Sequence, residues 1–395
     1  MKIEKIELYD ILILATFALF SIVRIEPAPF DVLILLALLI GFFATKLDFK
    51  RVFIFSITNL LIWLFIIGTL ISIYFAKDFS LAIFYSGITF YLILLFYFIK
   101  SYITSRKRAR IILFGWTFSG ILAAFLGLIG YLRLTPIWDY FIFGFNRPMA
   151  LFKDPDVFAP FFVPLVLWIL YEIIKPTLWK SHKLLKIFLL YFFVLAIIFS
   201  SSRGAWLNLW VGLFFFISIF SFFIPKIKIA QKIKLFSFVG LILLTFLISF
   251  YVFPYLRHRV GLESYDVTRF EKQTEALKLS VQAPFGIGSG QTTKTINYAT
   301  HSLYLRIFLE GGWFTFLIFI TFLFYWGLKM FKYSLRNKVI CGISSLVIFV
   351  SFMGILAQSF FIDTLHWRHF WLILGIGAVM IYVDRMYQRK TPIIQ

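Results

Sequence analysis

The chain has 395 residues, of which 61% are hydrophobic, 21% aromatic and only 14% charged. Soluble domains average about 45–50% apolar and about 25% charged residues, so a globular fold with a polar shell is excluded. The formal net charge of +21 raises nucleic acid as a partner, but the basic residues sit in short clusters between long apolar runs, which encodes membrane topology and not a nucleic-acid surface.

A membrane-crossing helix needs about 20 mostly apolar residues. On that criterion the sequence predicts an all-α polytopic membrane protein of about 12 transmembrane helices. The runs lie near 9–25, 30–45, 52–75, 81–99, 111–132, 155–174, 184–200, 204–224, 234–253, 302–328, 339–360 and 368–384. Residues 1–25 carry Lys2 and Lys5 but no small-residue cleavage site after the apolar stretch, so they are expected to stay as a first helix. The single cysteine, Cys341, excludes an internal disulfide framework, and its apolar run predicts a buried, inert thiol.

Basic clusters at 46–51, 100–110, 175–186, 226–234, 329–338 and 385–390, with Lys2 and Lys5, fall in alternate connections. By the positive-inside rule that side is cytoplasmic, and both termini with it. The basic residues left on the outer side, among them Arg147, Arg203, Arg269, Arg306 and Arg368, are not needed for topology and point to a ligand.

One connection is long, residues 254–301. Within it VTRFEKQTEALKLSVQ (267–282) carries helix-period apolar positions at Val267, Phe270, Ala276, Leu277 and Val281 with charges between. It predicts an amphipathic helix on the outer surface. Ala283-Pro284 ends it, and PFGIGSG supplies glycines for a tight turn. That turn is neither a P-loop nor a dinucleotide fingerprint, since no Gly-Lys-Ser/Thr follows and no strand precedes it.

Four stretches together resemble the O-antigen ligase and polymerase superfamily. They are FNRPMALFKDPDVFAPFFVPLVL (145–167), FSSSRGAWLNLWVG (199–212), RFEKQTEALKLSVQAPFGIGSGQ (269–291) and THSLYLRIFLEGGWFTF (300–316). The likeness extends through TLHWRHFWLILG to about residue 384, and residues 1–140 carry no such signature. The expected division is therefore 1–140 as N-terminal transmembrane helices and 141–395 as the catalytic membrane region, including the outer loop 254–301. Two positions depart from the family pattern: Asp156 stands where Asn is usual, and Ser302 replaces the usual Asn after His301.

The resemblance implies a glycosyltransferase of a bacterial inner membrane, with its active site on the periplasmic side. It implies transfer of a glycan, with inversion, from an undecaprenyl-diphosphate carrier to an acceptor hydroxyl, with no metal and no cofactor. In a ligase the acceptor is lipid A–core; in a polymerase it is another lipid-linked glycan. The residues are compatible with this: arginine is the best planar bidentate donor to phosphate oxygens, and histidine commonly takes a hydroxyl proton near neutral pH.

By family position Arg203, Arg269 and Arg147 are the expected diphosphate-binding residues, and His301 the expected catalytic base. Each has an ordinary alternative. Arg203 can snorkel at the interface, Arg269 can be a solvated charge, and Arg147 a turn residue before Pro148. A lone histidine commonly has no chemical role. His366 and His369, beside Trp367 and Arg368, are rivals to His301; His258, between Arg257 and Arg259, reads as a surface residue. Arg306 and Glu310, four apart, read first as a mutual pair. A polysaccharide transporter or flippase is the more distant alternative, but it should show a repeat between halves and mid-membrane polar residues. Neither is visible in the sequence.

Overall fold

The computed structural model describes residues 7–390 other than 145, 226 and 262, and of 387–390 the backbone alone. Lys2, Lys5 and Lys226, assigned above to the cytoplasmic side, lie outside the described residues, as do the side chains of Arg389 and Lys390.

The protein is an all-α polytopic membrane protein. Each of the twelve apolar runs contains a helix, and among the described residues eight helices are long and apolar enough to cross a membrane. Leu8–Ala18, Pro29–Phe43 and Ser345–Gln358 are shorter apolar helices, and Lys183–Phe199 has 17 residues. Polar residues mark the starts. The Ser56, Ser105 and Ser202 hydroxyls accept backbone N–H bonds at the first turns of Ile57–Tyr74, Arg106–Tyr131 and Arg203–Ser218. Proline opens Pro29–Phe43, where its missing N–H would have no partner.

Two runs end differently from the sequence expectation. The first helix stops at Ala18; beyond it the Ser21 N–H turns to Ser119 Oγ at 2.7 Å, and those of Val23 and Arg24 to the Leu151 carbonyl at 3.0 and 2.8 Å. In the run 339–360, Val339–Ile340 pairs with Ile343–Ser344 as an antiparallel hairpin, and helix begins only at Ser345. Cys341 and Gly342 are its turn, both at positive φ, so Cys341 is half-buried in a hairpin and not within a helix.

The chain divides into two compact units. The first comprises residues up to 48, 101–259 and 333–354. Its packing includes a knot of Phe17, Phe20, Phe30, Trp116 and Phe161 with ring centroids 4.5–5.8 Å apart. It also holds Glu172, fully buried, whose carboxylate accepts from the N–H groups of Thr177, Leu178 and Trp179 and from the Thr177 hydroxyl. A buried carboxylate is tolerated only with such donors.

The second unit comprises 49–100, 260–332 and the residues from 355 on. Its kinked helix Leu303–Leu335 packs Trp326 against Arg368–Lys390, with the indole N–H donating 3.1 Å to the Leu374 carbonyl. Small residues permit such close approach in membrane helices. A Cβ on Gly377 would lie 2.0 Å from the Trp326 ring.

Candidate active site

In the first unit, helices Lys183–Phe199 and Arg203–Ser218 are joined by Ser200, Ser201 and Ser202, all three buried. So tight a reversal needs a left-handed residue, and Ser201 takes it at φ +54°. The turn is secured from within by the Ser202 N–H donating 3.2 Å to Ser200 Oγ and by the Ser200 hydroxyl donating 2.7 Å to the Ile197 carbonyl. From without, two arginines hold its carbonyls. Arg147 Nε donates 3.0 Å to the Ser200 carbonyl and Arg259 Nε 3.5 Å to that of Ser201. Arg203 follows as the first helical residue, where the free N–H groups and helix dipole favour an anion.

Arg147 is delivered by a two-stranded hairpin, Ile142–Phe143 against Arg147–Pro148. Its Nη2 donates 3.0 Å to Asp156 Oδ1, so the Asp that departs from the family pattern is the ion-pair partner of this arginine. Asp154 accepts the Asp156 N–H at 2.6 Å and starts the short helix Pro155–Phe158. Burial, and then the Asp156 charge, hold the Asp154 carboxyl above the usual range. Beside the turn lies an apolar cavity of about 90 Å³, lined among others by Gly127, Tyr131, Phe192 and Ala196, and by Pro148 and Phe199, the chain neighbours of Arg147 and Ser200.

In the second unit the expected amphipathic helix runs Ser264–Gln282. Val267, Phe270, Leu277 and Val281 form an exposed apolar stripe. The adjacent stripe of Asp266, Arg269, Gln273, Ala276 and Ser280 faces inward, since Asp266, Ala276 and Ser280 are buried. Gln273 Nε2 ties this face to the start of the kinked helix, donating 3.2 Å to the carbonyls of both Thr300 and His301. Arg269 lies one turn before Gln273 on that face, so Arg269 and His301 are brought to the same neighbourhood. The Arg269 guanidinium lies over the Tyr265 ring at 5.4 Å, and its Nε is shielded without a hydrogen-bond partner.

His301 sits at φ +45°, its ring against Tyr298 with centroids 5.3 Å apart. Ser302 Oγ accepts the Leu305 N–H at 3.5 Å, a side-chain acceptor at the start of the kinked helix.

The glycine segment is more than a turn. Gly312 breaks the kinked helix at φ 79°, ψ −179°. The carbonyls of Leu309 and Glu310, cut off from helical donors, accept the N–H groups of Ile287 and Gly288 at 3.0 Å each, and the Trp313 N–H donates 2.9 Å to the Pro284 carbonyl. Gly286, Gly288 and Gly290 all have positive φ.

Next to it lies a buried ionic cluster. Arg306 Nε donates 3.0 Å to Glu310 Oε2, so the expected pair forms, and Nη1 donates to Asp363. The other Glu310 oxygen accepts from the Thr292 hydroxyl at 2.8 Å. His366 completes the cluster, with Nδ1 3.4 Å from Arg306 Nη1, Nε2 3.1 Å from Thr89 Oγ1, and its ring stacked on Tyr85. Burial, then the Arg306 charge, push His366 down to about 3. Burial raises the Asp363 carboxyl, but the Arg306 and His366 charges with the Leu365 N–H and Arg306 hydrogen bonds together hold it below the usual carboxylate range. His369 is buried, 2% exposed.

Of the expected site residues, the fold thus groups Arg147 with Arg203 in the first unit and Arg269 with His301 in the second. Sequence reasoning did not single out Arg259, Asp363 or Gln273 as site residues. One signal was available for Asp363: it is an acidic residue in a short connection between apolar runs of a chain with only 18 Asp and Glu.

Residues 187–320 match the family model described as O-antigen ligase. The matched segment contains the serine turn, Arg203, Arg259, Arg269, the glycine segment, His301 and the Arg306–Glu310 pair. No curated protein matches the chain.

Proposed function

We propose that this chain, whose residues 187–320 match the O-antigen ligase family model, transfers a glycan from undecaprenyl diphosphate to a hydroxyl of lipid A–core on the periplasmic face of an inner membrane. The observation that carries this reading is the serine turn. Two guanidinium groups brace successive carbonyls directly ahead of Arg203, and an apolar cavity borders the same turn. A charge-dense anchor beside an apolar slot suits an amphiphile whose diphosphate and isoprenoid chain need opposite surroundings.

In the proposed reaction the acceptor oxygen attacks the anomeric carbon while its proton passes to His301. The bond from that carbon to the diphosphate oxygen breaks, and undecaprenyl diphosphate leaves with the electron pair, so a single displacement inverts the centre. The resemblance assigns Arg203 and Arg269 as donors to the diphosphate oxygens, where charge grows on the leaving oxygen and a preorganised donor lowers the barrier most. Arg147, with Nε and Nη2 already engaged by Ser200 and Asp156, acts on the diphosphate by fixing the turn that presents Arg203.

His301 is the better base than His366. A group held at about 3 is a weak proton acceptor at neutral pH, and the His366 ring nitrogens face Arg306 and Thr89.

The test is transfer by the purified protein from a lipid-linked glycan, with lipid A–core and a second lipid-linked repeat offered separately as acceptors. Product on lipid A–core supports the ligase reading, and elongated lipid-linked glycan alone replaces it with a polymerase. Neither product, with donor and acceptors intact, defeats the proposal.

A further inference from the structure

Within the second unit, three segments from the basic ends of their helices meet: the start of Ile57–Tyr74, the end of Phe79–Tyr102 and the end of Arg368–Lys390. They enclose a cavity of about 20 Å³ whose lining includes Ser56, Thr58, Lys100, Tyr382 and Arg385. Lys100 is 3% exposed, yet its ammonium meets only a neutral acceptor, donating 2.7 Å to Asn59 Oδ1. Arg385 Nη1 donates 2.6 Å to the Phe55 carbonyl. Neither has a carboxylate within ion-pair distance among the described residues. The charges of Arg385 and of Arg51, whose guanidinium lies 5.0 Å from the Tyr382 ring, both act on Lys100. Thr58 is also 3% exposed, and its hydroxyl has no hydrogen-bond partner.

Such a cluster is costly as it stands. A desolvated ammonium beside another cation is disfavoured by burial and by repulsion together, and a buried hydroxyl without a partner forfeits its hydration. Holding Asn59 does not require a charge, since a neutral amide at position 100 would donate to the same oxygen. An anion relieves all three groups at once. We propose that this cavity binds the phosphate group of an anionic ligand, with Lys100 and Arg385 supplying charge and Thr58 an O–H donor.

The cavity admits about one water-sized atom, so one phosphate oxygen enters and the rest of the ligand stays at the mouth. Basic pockets between helices on the positively charged side of a membrane protein take phospholipid headgroups in this way. A soluble phosphate offers the same chemistry. The inference is independent of the glycan-transfer reading, because its readout is binding at the opposite, basic end.

The experiment is native mass spectrometry of the delipidated full chain in detergent, titrated separately with phosphatidylglycerol, phosphatidylcholine and inorganic phosphate. Wild type, Arg385→Gln and Thr58→Val are compared. Thr58→Val is nearly isosteric and removes only an unpartnered hydroxyl, so it keeps the test readable if Arg385→Gln fails to fold. The expected result is preference for phosphatidylglycerol over phosphatidylcholine, weakened about tenfold or more in each variant, the scale of one lost hydrogen bond to a charged group. Binding of inorganic phosphate with the same loss in the variants supports the site and makes a soluble phosphate its ligand. Equal binding of the two lipids without phosphate binding overturns the proposal, and so does anion binding that neither variant changes.

Discussion

His301 and His366 lie on the same unit, and both met the first expectation of a base, but their surroundings divide them. His366 is sealed between Arg306, Thr89 and Tyr85. An imidazole held at about 3 in the fold and near 6.5 unfolded takes up a proton on unfolding between those values. Its contribution is therefore complete above pH 6.5 and is lost as pH falls toward 3, at up to about 1.4 kcal/mol per pH unit. Asp363, held below its ordinary range, loses its contribution as pH falls through its folded value, so both act in the same direction. Melting temperature should drop on acidification from pH 7 to 4, and His366→Asn should flatten that drop while leaving the acid limb of the transfer profile in place. A His366→Asn enzyme whose acid limb vanished would make His366 the base. At this scale Arg203 and His301 were legible because each sits inside a contiguous motif. Asp363 was not, because its partner Arg306 is 57 residues away, and no local pattern records a pairing over that distance.

Helices were legible wherever a long apolar run met a polar cap, since membrane burial of the backbone leaves no other local solution. The exceptions are where a distant group competes for the backbone, as the Leu151 carbonyl does for Val23 and Arg24. The glycine segment is the clearest case. Its sequence predicted a turn, but its work is done on another element, through donors to the carbonyls that Gly312 sets free. A Cβ on Gly286 would lie 2.3 Å from the Glu310 carbonyl oxygen, at a backbone φ of +80°. Gly286→Ala should therefore destabilise by more than the roughly 1–2 kcal/mol of left-handed strain alone, with a lower melting temperature and lost transfer. Gly240→Ala has nothing within 4 Å of the new Cβ, and is expected to behave as wild type. Equal melting temperatures for the two variants would show that the segment does not hold the kink.

For the whole molecule, the alternation of basic clusters predicts Arg106–Arg110 in the cytoplasm and Arg203, Arg269 and His301 in the periplasm. Single cysteines in a Cys341→Ser background test this, because a membrane-impermeant thiol reagent applied to intact spheroplasts should label position 269 and spare position 107. Labelling of 269 only after the inner membrane is opened would reverse the orientation. Transfer is also expected to survive EDTA, since the proposed charge stabilisation comes from arginine; loss restored by Mg²⁺ or Mn²⁺ would contradict that. The most direct test of the glycosyl-transfer account measures donor binding and transfer together in purified Arg203→Ala and His301→Ala proteins. A general base contributes about 10²–10⁴-fold to rate, so His301→Ala should lose turnover by that factor while binding the lipid-linked donor as wild type does. Arg203→Ala should lose both, and Arg203→Lys should recover only part, because a point charge lacks the guanidinium fork. Wild-type transfer by His301→Ala, or undiminished donor binding by Arg203→Ala, would contradict the account.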